Sequence, residues 1–298
     1  MESSSKRRLP SDRIYYIIVY ALLTLVFVLI AFPLVFVLSA SFSSPSAVAA
    51  GRVILWPVEF GIEGYKAVFR NSSILSGYLN TLIYAVAGTV LNVAMTLICA
   101  YPLSRRDLKG RNAIMLLFSF TMIFSGGIIP SYILMKDLHL LNTRFAMIIP
   151  GAISVYNMII TRTFIQNSIP EELLQASQID GCSDAAYFFR VVLPLSKSVI
   201  ATITLFYVVG HWNAYFNAFL YLNNRALMPL QIILREILIA NTIDFSQVVD
   251  PELAQARQGL ADLLKYSLII VSSVPMLILY PFIQKHFVTG VMIGAIKG

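Results

Sequence analysis

The most restrictive feature of this chain is where its charges are missing. No Asp, Glu, Lys or Arg occurs between Arg13 and Arg52, Arg70 and Arg105, Arg111 and Lys136, Arg144 and Arg162, Lys197 and Arg225, or Lys265 and Lys285. A helix needs about 20 apolar residues to cross a bilayer core of about 30 Å, and all six intervals are near that length or longer. The expected architecture is therefore all-α, an integral membrane bundle with spans at about 14–40, 80–103, 112–134, 145–165, 198–221 and 265–285. Residues 1–13 form an N-terminal segment, and 14–298 form a single domain. Composition agrees: 58% of residues are hydrophobic and 12% charged, against about 25% charged in an ordinary soluble domain.

Lys6, Arg7 and Arg8 precede the first apolar run, as they would in a secretory signal. A signal's apolar region covers only about 7–15 residues, whereas Ile14 to Leu38 is far longer, so a retained helix is expected. The densest basic clusters are Lys6 to Arg13 and Arg105 to Arg111. Six spans put both clusters, the 163–197 loop and the C-terminus on one side, which the positive-inside rule makes cytoplasmic. Segments at about 43–77, 136–144 and 222–262 then lie outside. The net charge of +7 suits an anionic inner leaflet rather than nucleic acid, because the cations flank apolar runs. Cys99 lies in an apolar run and Cys182 in a polar loop, at different depths on a reducing side, which argues against a disulfide. No metal-ligand spacing surrounds either one.

The segment from Ser168 to Ser198 carries the most information. Ser168 stands three residues before Glu171, the spacing of a capping box, with Pro170 and Glu172 suited to a first turn. Leu173, Leu174, Ala176 and Ile179 make one apolar face, Gly181 permits a sharp turn, and a second short helix is expected over Asp184–Val192, stopped by Pro194. This predicts a helix–turn–helix too ordered to be a simple connector.

These residues resemble the "EAA" loop of the permease subunits of ABC importers, whose pattern is Glu-Ala-Ala, three residues, Gly, nine residues, then Ile-x-Leu-Pro. Ala176, Asp180, Gly181, Leu193 and Pro194 match, while Gln175 and Ser177 stand where the pattern has Glu and the second Ala. The stretch from Gly126 to Asp137 with Leu141-Asn142-Thr143, the run Gly210-His211-Trp212-Asn213, and the tail from Phe287 to Gly298 are similar to the carbohydrate branch of that family. Within it, the chain most resembles the group named for the LplC and YtcP permeases, with the maltose permease more distant.

The resemblance implies a type I ABC importer permease fold in a bacterial cytoplasmic membrane, both termini cytoplasmic, with a coupling helix between spans four and five. It implies as partners a second homologous permease, two ATPase subunits carrying ATP and Mg, an extracytoplasmic solute-binding protein, an oligosaccharide and the lipid bilayer. No cofactor is expected on this chain. Glu172, Gln175, Ala176, Asp180, Gly181, Phe188, Leu193, Pro194, Gly290 and Lys297 are the positions the resemblance assigns to ATPase coupling. Its LplC/YtcP-like branch points to acidic fragments, such as those of alginate or pectin.

Polar groups in the spans are the candidates for a sugar pathway. His211, Trp212, Asn213, Tyr215 and Asn217 combine aromatic faces with amides, and Tyr132 and Tyr156 add two more rings. On an unbroken helix His211 and Tyr215 share one face and Asn213 and Asn217 another, so some of these must pack against neighbouring helices instead. Asn80, Asn92 and Asn157 suit helix–helix hydrogen bonds, each contributing roughly 0.6–2 kcal/mol.

What is missing excludes other classes. No Asp or Glu falls in any span core, so an ion-coupled carrier has no evident relay. The chain has no phosphate-binding Gly-x-x-x-x-Gly-Lys-Ser/Thr, no His-Glu-x-x-His and no Gly-x-Ser-x-Gly, which leaves no catalytic residue to name and places ATP hydrolysis elsewhere. An importer for another solute, such as a peptide, is separated only by the span-three, span-five and tail motifs.

Overall fold

The computed structural model describes residues 10–240 and 251–295, and every regular element among them is helical. The helices are α1 (Pro10–Ser41), α2 (Pro45–Ala49), α3 (Glu63–Arg70), α4 (Ser72–Ser104), α5 (Arg111–Ile123), α6 (Ile128–Asp137), α7 (Phe145–Ile148) and α8 (Val155–Ser168). They continue as α9 (Glu171–Ile179), α10 (Asp184–Tyr187), α11 (Leu193–Leu195), α12 (Lys197–Trp212), α13 (Phe216–Tyr221), α14 (Leu230–Ala240) and α15 (Pro251–Ala295). Two compact units emerge, one from Met1–Arg70 with Ile237–Ser272 and one from Asn71–Glu236 with Ser273–Gly298.

Three stretches are long and apolar enough to cross a bilayer unaided: Ile14–Ser41, Ser72–Ser104 and Gly259–Pro281. Two bent pairs, α5 with α6 (112°) and Asp184–Leu195 with α12 (79°), bring the total among the described residues to at most five. The expected spans over 112–134, 145–165 and 198–221 are thus not single straight helices. Each is broken where the backbone chemistry demands it. Gly127, at φ 85°, separates α5 from α6. Pro150, which has no N–H to donate, and Gly151, at φ 74°, separate α7 from α8. Asn213–Tyr215 separate α12 from α13.

In the first unit α1 leaves its apolar side chains exposed; within its most apolar window no residue is buried. That is the surface of a helix whose surroundings are lipid. The chain then turns through a buried serine ladder. The Ser39 hydroxyl donates to the Leu55 carbonyl (2.6 Å), the Ser43 hydroxyl donates to Ser39 (2.7 Å) and accepts from the Val58 amide (3.1 Å), and Ser41 pairs with the Tyr65 hydroxyl (2.8 Å). Gly259 approaches α2 so closely that a Cβ there would meet the Pro45 carbonyl.

The second unit is organised around α4. Its buried positions include Gly77, Thr81, Ala85, Gly88, Asn92, Thr96 and Ala100, small or polar residues three or four apart that form one stripe. Small side chains let helix backbones approach when there is no water to drive association, and α12 and α8 pack on this stripe. At Gly88 α12 comes so near that a Cβ there would collide with the His211 imidazole.

Polar groups on the same stripe supply what the broken backbone needs. Asn92 donates to the Gly151 carbonyl (2.7 Å) and pairs through Oδ1 with His211 Nε2 (2.8 Å). The Tyr207 hydroxyl pairs with Thr96 (2.7 Å) and accepts from the Ser154 amide (3.1 Å). An irregular turn at membrane depth is tolerable only where other protein groups satisfy it, and side chains of α4 and α12 do so here.

Candidate functional site

The loop between α8 and α12 is built almost entirely from local signals. Ser168 is the last residue of α8 rather than a cap, and Pro170, with no side-chain acceptor, stands at the start of α9. The capping box expected at Ser168 and Glu171 therefore does not form, because the preceding helix runs on through Ser168. The far end of α9 closes as expected. The Cys182 amide reaches back to the Ser177 carbonyl (2.9 Å) and the Gly181 amide to Gln178 (3.1 Å), the paired bonds of a Schellman turn. Gly181 sits at φ 72°, a conformation that L side chains avoid. Ser183 then caps α10 by accepting from the Ala186 amide (3.3 Å).

The second helix also departs from expectation. A π-helical turn over Phe188–Val192 follows α10, and Pro194 lies inside the short α11 rather than ending the helix. A proline interrupts the bonding of the turn before it rather than its own, so the chain continues to Leu195 and bends only at Ser196.

This loop is latched to the end of α4. Tyr187 and Val192 are buried with Tyr101 and Ile165, and Phe188 and Leu174 pack against that cluster. Arg105, at the C-terminus of α4, binds Asp107 through two nitrogens (2.9 and 2.5 Å), the Tyr101 hydroxyl (3.3 Å) and the Asp184 carboxylate. The acids around it, Asp107 foremost, hold its guanidinium charged beyond the ordinary arginine range. Arg105 in turn keeps the Asp107 carboxyl below the usual carboxylate range. Arg106 pairs with Glu171 (3.2 Å). Arg162 and Gln166 of α8 donate to the Leu103 and Ser104 carbonyls (2.8 and 3.1 Å), satisfying groups that a helix end leaves orphaned. A cavity of about 580 Å³ remains between the α4 end, with Arg105, Arg106 and Arg111, and Gln166, Glu171 and Leu174 opposite.

With its inner side latched, the loop presents an outer face. Glu172, Gln175, Ala176, Asp180 and Pro194 are exposed, while Phe188 and Leu193 are half-buried. Ile179 (87% exposed) and Phe189 (66%) add apolar surface that nothing among the described residues covers. Gly290 falls within the helical run of α15, and Lys297 lies outside the described residues. The Arg105–Asp184 pair escaped the sequence reading, which used the 105–111 cluster only for orientation. The two residues are 79 positions apart, and no local pattern links them.

The span-five candidates separate into two kinds. His211 is committed to Asn92 (2.8 Å), and Trp212 is buried edge-on to Tyr78 (5.6 Å). Asn213 and Asn217 are exposed, although Asn213 donates to the Val209 carbonyl (3.0 Å). Because α12 ends at Trp212, the expected i, i+4 sharing of faces across 211–217 does not hold. Tyr215 closes the break, stacked on Phe219 (5.9 Å between centroids), with the Arg235 guanidinium over both rings. Tyr132 stacks on Tyr221 (6.4 Å), and Tyr156 is exposed.

Comparison with known proteins agrees over nearly the whole length. The family described as binding-protein-dependent transport system inner membrane component matches residues 3–293. The chain is 39% identical over 287 residues to the polygalacturonan/rhamnogalacturonan transport system permease protein YtcP of Bacillus subtilis (strain 168), covering 96% of this chain and 99% of that protein. It is 40% identical over 272 residues to protein LplC of the same organism, covering 89% of each. In three dimensions it superposes on a chain of a bacterial ABC transporter involved in the import of the acidic polysaccharide alginate. The TM-score is 0.86 at 32% identity, covering 95% of this chain and all of that one.

Proposed function

The chain belongs to the family of binding-protein-dependent transport system inner membrane components and is a permease of carbohydrate ABC importers, and from that premise we propose that its cargo is an oligosaccharide of sugar acids. The observation that carries this reading is the agreement of two different likenesses, in sequence to a polygalacturonan/rhamnogalacturonan permease and in three dimensions to an alginate importer. Polygalacturonan and alginate are both polymers of uronic acids.

In the complete transporter this chain pairs with a second, homologous permease and spans the cytoplasmic membrane with six segments, the broken stretch over α7 and α8 being the sixth. Both termini and the 168–197 loop face the cytoplasm, where two ATPase subunits hold ATP and Mg. A solute-binding protein docks on the opposite face. The exposed side of α9 and α10, with Glu172, Gln175, Ala176, Asp180 and the apolar Ile179, rests in a cleft of one ATPase subunit, and Gly290 and Lys297 of the tail add a second contact. Support for a mechanical role comes from the latch. Arg105 and Arg106 tie the loop to the end of α4, and Arg162 and Gln166 tie α8 to that same end, so a displacement of α9 is carried into the α4–α8–α12 core rather than absorbed. Asn213, Tyr215, Asn217, Tyr132 and Tyr156 are the pathway residues in this reading, and His211 and Trp212 hold the helices that carry them.

The test is ATPase activity of the co-purified complex with and without binding protein loaded with oligogalacturonate or oligoalginate. Stimulation by either sugar supports the reading. A complex stimulated only by loaded neutral sugars or by peptides contradicts it.

A further inference from the structure

At the end of the break in span five, one cation is seated on two aromatic rings. Arg235 of α14 lies 5.0 Å from the centroid of Tyr215 and 5.1 Å from that of Phe219. The two rings are themselves stacked, with centroids 5.9 Å apart. Arg235 is exposed, and among the described residues it forms no ion pair; its neighbour Glu236 is engaged by Arg225 (3.4 Å).

The backbone that carries Arg235 is fixed. Asn80 donates to the Ala226 and Met228 carbonyls (2.7 and 3.2 Å), the Tyr84 hydroxyl to the Leu227 carbonyl (2.7 Å), and the Leu230 amide to the Thr81 hydroxyl (2.8 Å). Ile233 and Leu230 then press on α4 so closely that a Cβ on Gly77 would collide with Ile233. A guanidinium positioned in this way has lost most of its rotational freedom before any ligand arrives. Contact through ring faces consumes none of its five N–H donors, and their planar fork matches a carboxylate. Aromatic faces beside it suit the apolar face of a pyranose ring, and the exposed amides of Asn213 and Asn217 belong to the same stretch of chain.

We propose that Arg235, seated on Tyr215 and Phe219, is a specificity residue that binds the carboxylate of a uronic acid unit as it enters the transport pathway. The inference rests on the carbohydrate reading above and adds to it the group that tells an acidic sugar from a neutral one. A charge-assisted bidentate bond of this kind gives a preference for the free acid over its methyl ester, which keeps the sugar and removes the charge.

The experiment uses the complete importer with its binding protein in proteoliposomes, taking up trigalacturonate or its methyl ester. The quantity read is the ratio of acid to ester uptake, so that the binding protein's own preference cancels between variants. Replacement Arg235→Gln lowers this ratio about tenfold, and Arg235→Lys, which keeps the charge without the planar fork, lowers it less. A ratio in Arg235→Gln within about twofold of the unaltered protein overturns the inference while leaving the carbohydrate reading intact. If Arg235→Gln does not assemble, Arg235→Lys decides, and an unchanged ratio there overturns the inference equally. Uptake of neither compound by the unaltered importer overturns the uronic acid reading and this inference with it.

Discussion

The loop from Ile169 to Ser196 and the core where α4, α8 and α12 meet are both irregular helical structures, yet they keep their shape in opposite ways. The loop is specified from within. A Schellman turn ending α9, a left-handed Gly181 and the Ser183 cap all use residues within five positions of one another. The core is specified from a distance. The turn at Gly151 is held by Asn92, 59 positions away, and His211 meets Asn92 across 119. A locally specified element can move as a body without losing its form. One stabilised by remote side chains changes shape whenever those side chains move apart. Under the transport role proposed above, that difference suits a loop that transmits motion and a core that alternates between arrangements.

The comparison can be broken most forcefully in the core. Gly88→Val places a branched side chain where the His211 ring already lies and costs about 3 kcal/mol, so the thermal midpoint of the purified complex falls and transport is lost. Asn92→Leu has a smaller effect. It strands the Gly151 carbonyl and one His211 nitrogen at a cost of about 2 kcal/mol, which the same melt would register. A melt unchanged by either substitution would show that the core is not held in the way described.

The loop should respond differently. In Gly181→Val the Cβ meets no neighbouring atom within 4 Å but the residue must adopt φ 72°, costing about 1–2 kcal/mol of local strain. The global melt should shift little while sugar-stimulated ATPase activity is lost; parallel loss of both would place the loop with the core. The smallest effect is expected for Arg105→Ala. Asp184 is 68% exposed at the side chain, and pairs so accessible to water contribute about 0.5 kcal/mol. Because Asp107 has a lowered pKa from Arg105, its share of this stability is complete above the ordinary carboxylate pKa. It disappears as the pH falls through the lower, folded value. Melts at pH 6 and pH 8 should therefore agree, and an acid scan should show the Arg105-dependent part vanishing only below about pH 4. A pH-dependent difference near neutrality would point to another group.

How much was legible follows the same division. The apolar stretches and the turn at Gly181 were readable because each depends on residues close together in the chain. The capping box at Ser168 was misread because capping depends on where the previous helix stops, and α8 does not stop in time. The breaks at Pro150–Gly151 and Asn213–Tyr215 were missed because a charge-free interval does not register a break that polar side chains elsewhere make tolerable. Arg235 was visible as a charge in an apolar run, but nothing in the order of residues places it over Tyr215 and Phe219.

Resemblance to importer permeases implied a coupling loop and a separate ATPase; by itself the sequence determined that this chain belongs in a bilayer and that it is helical. Those conclusions need only local composition, spacing and the absence of charge, since lipid penalises every unpaired polar group wherever it sits. The tertiary structure alone decided which helices are broken, which polar residues are used in packing and which remain available to a ligand. These depend on contacts between residues 59 to 149 positions apart, and such contacts exist only once α4, α8, α12 and α14 have come together.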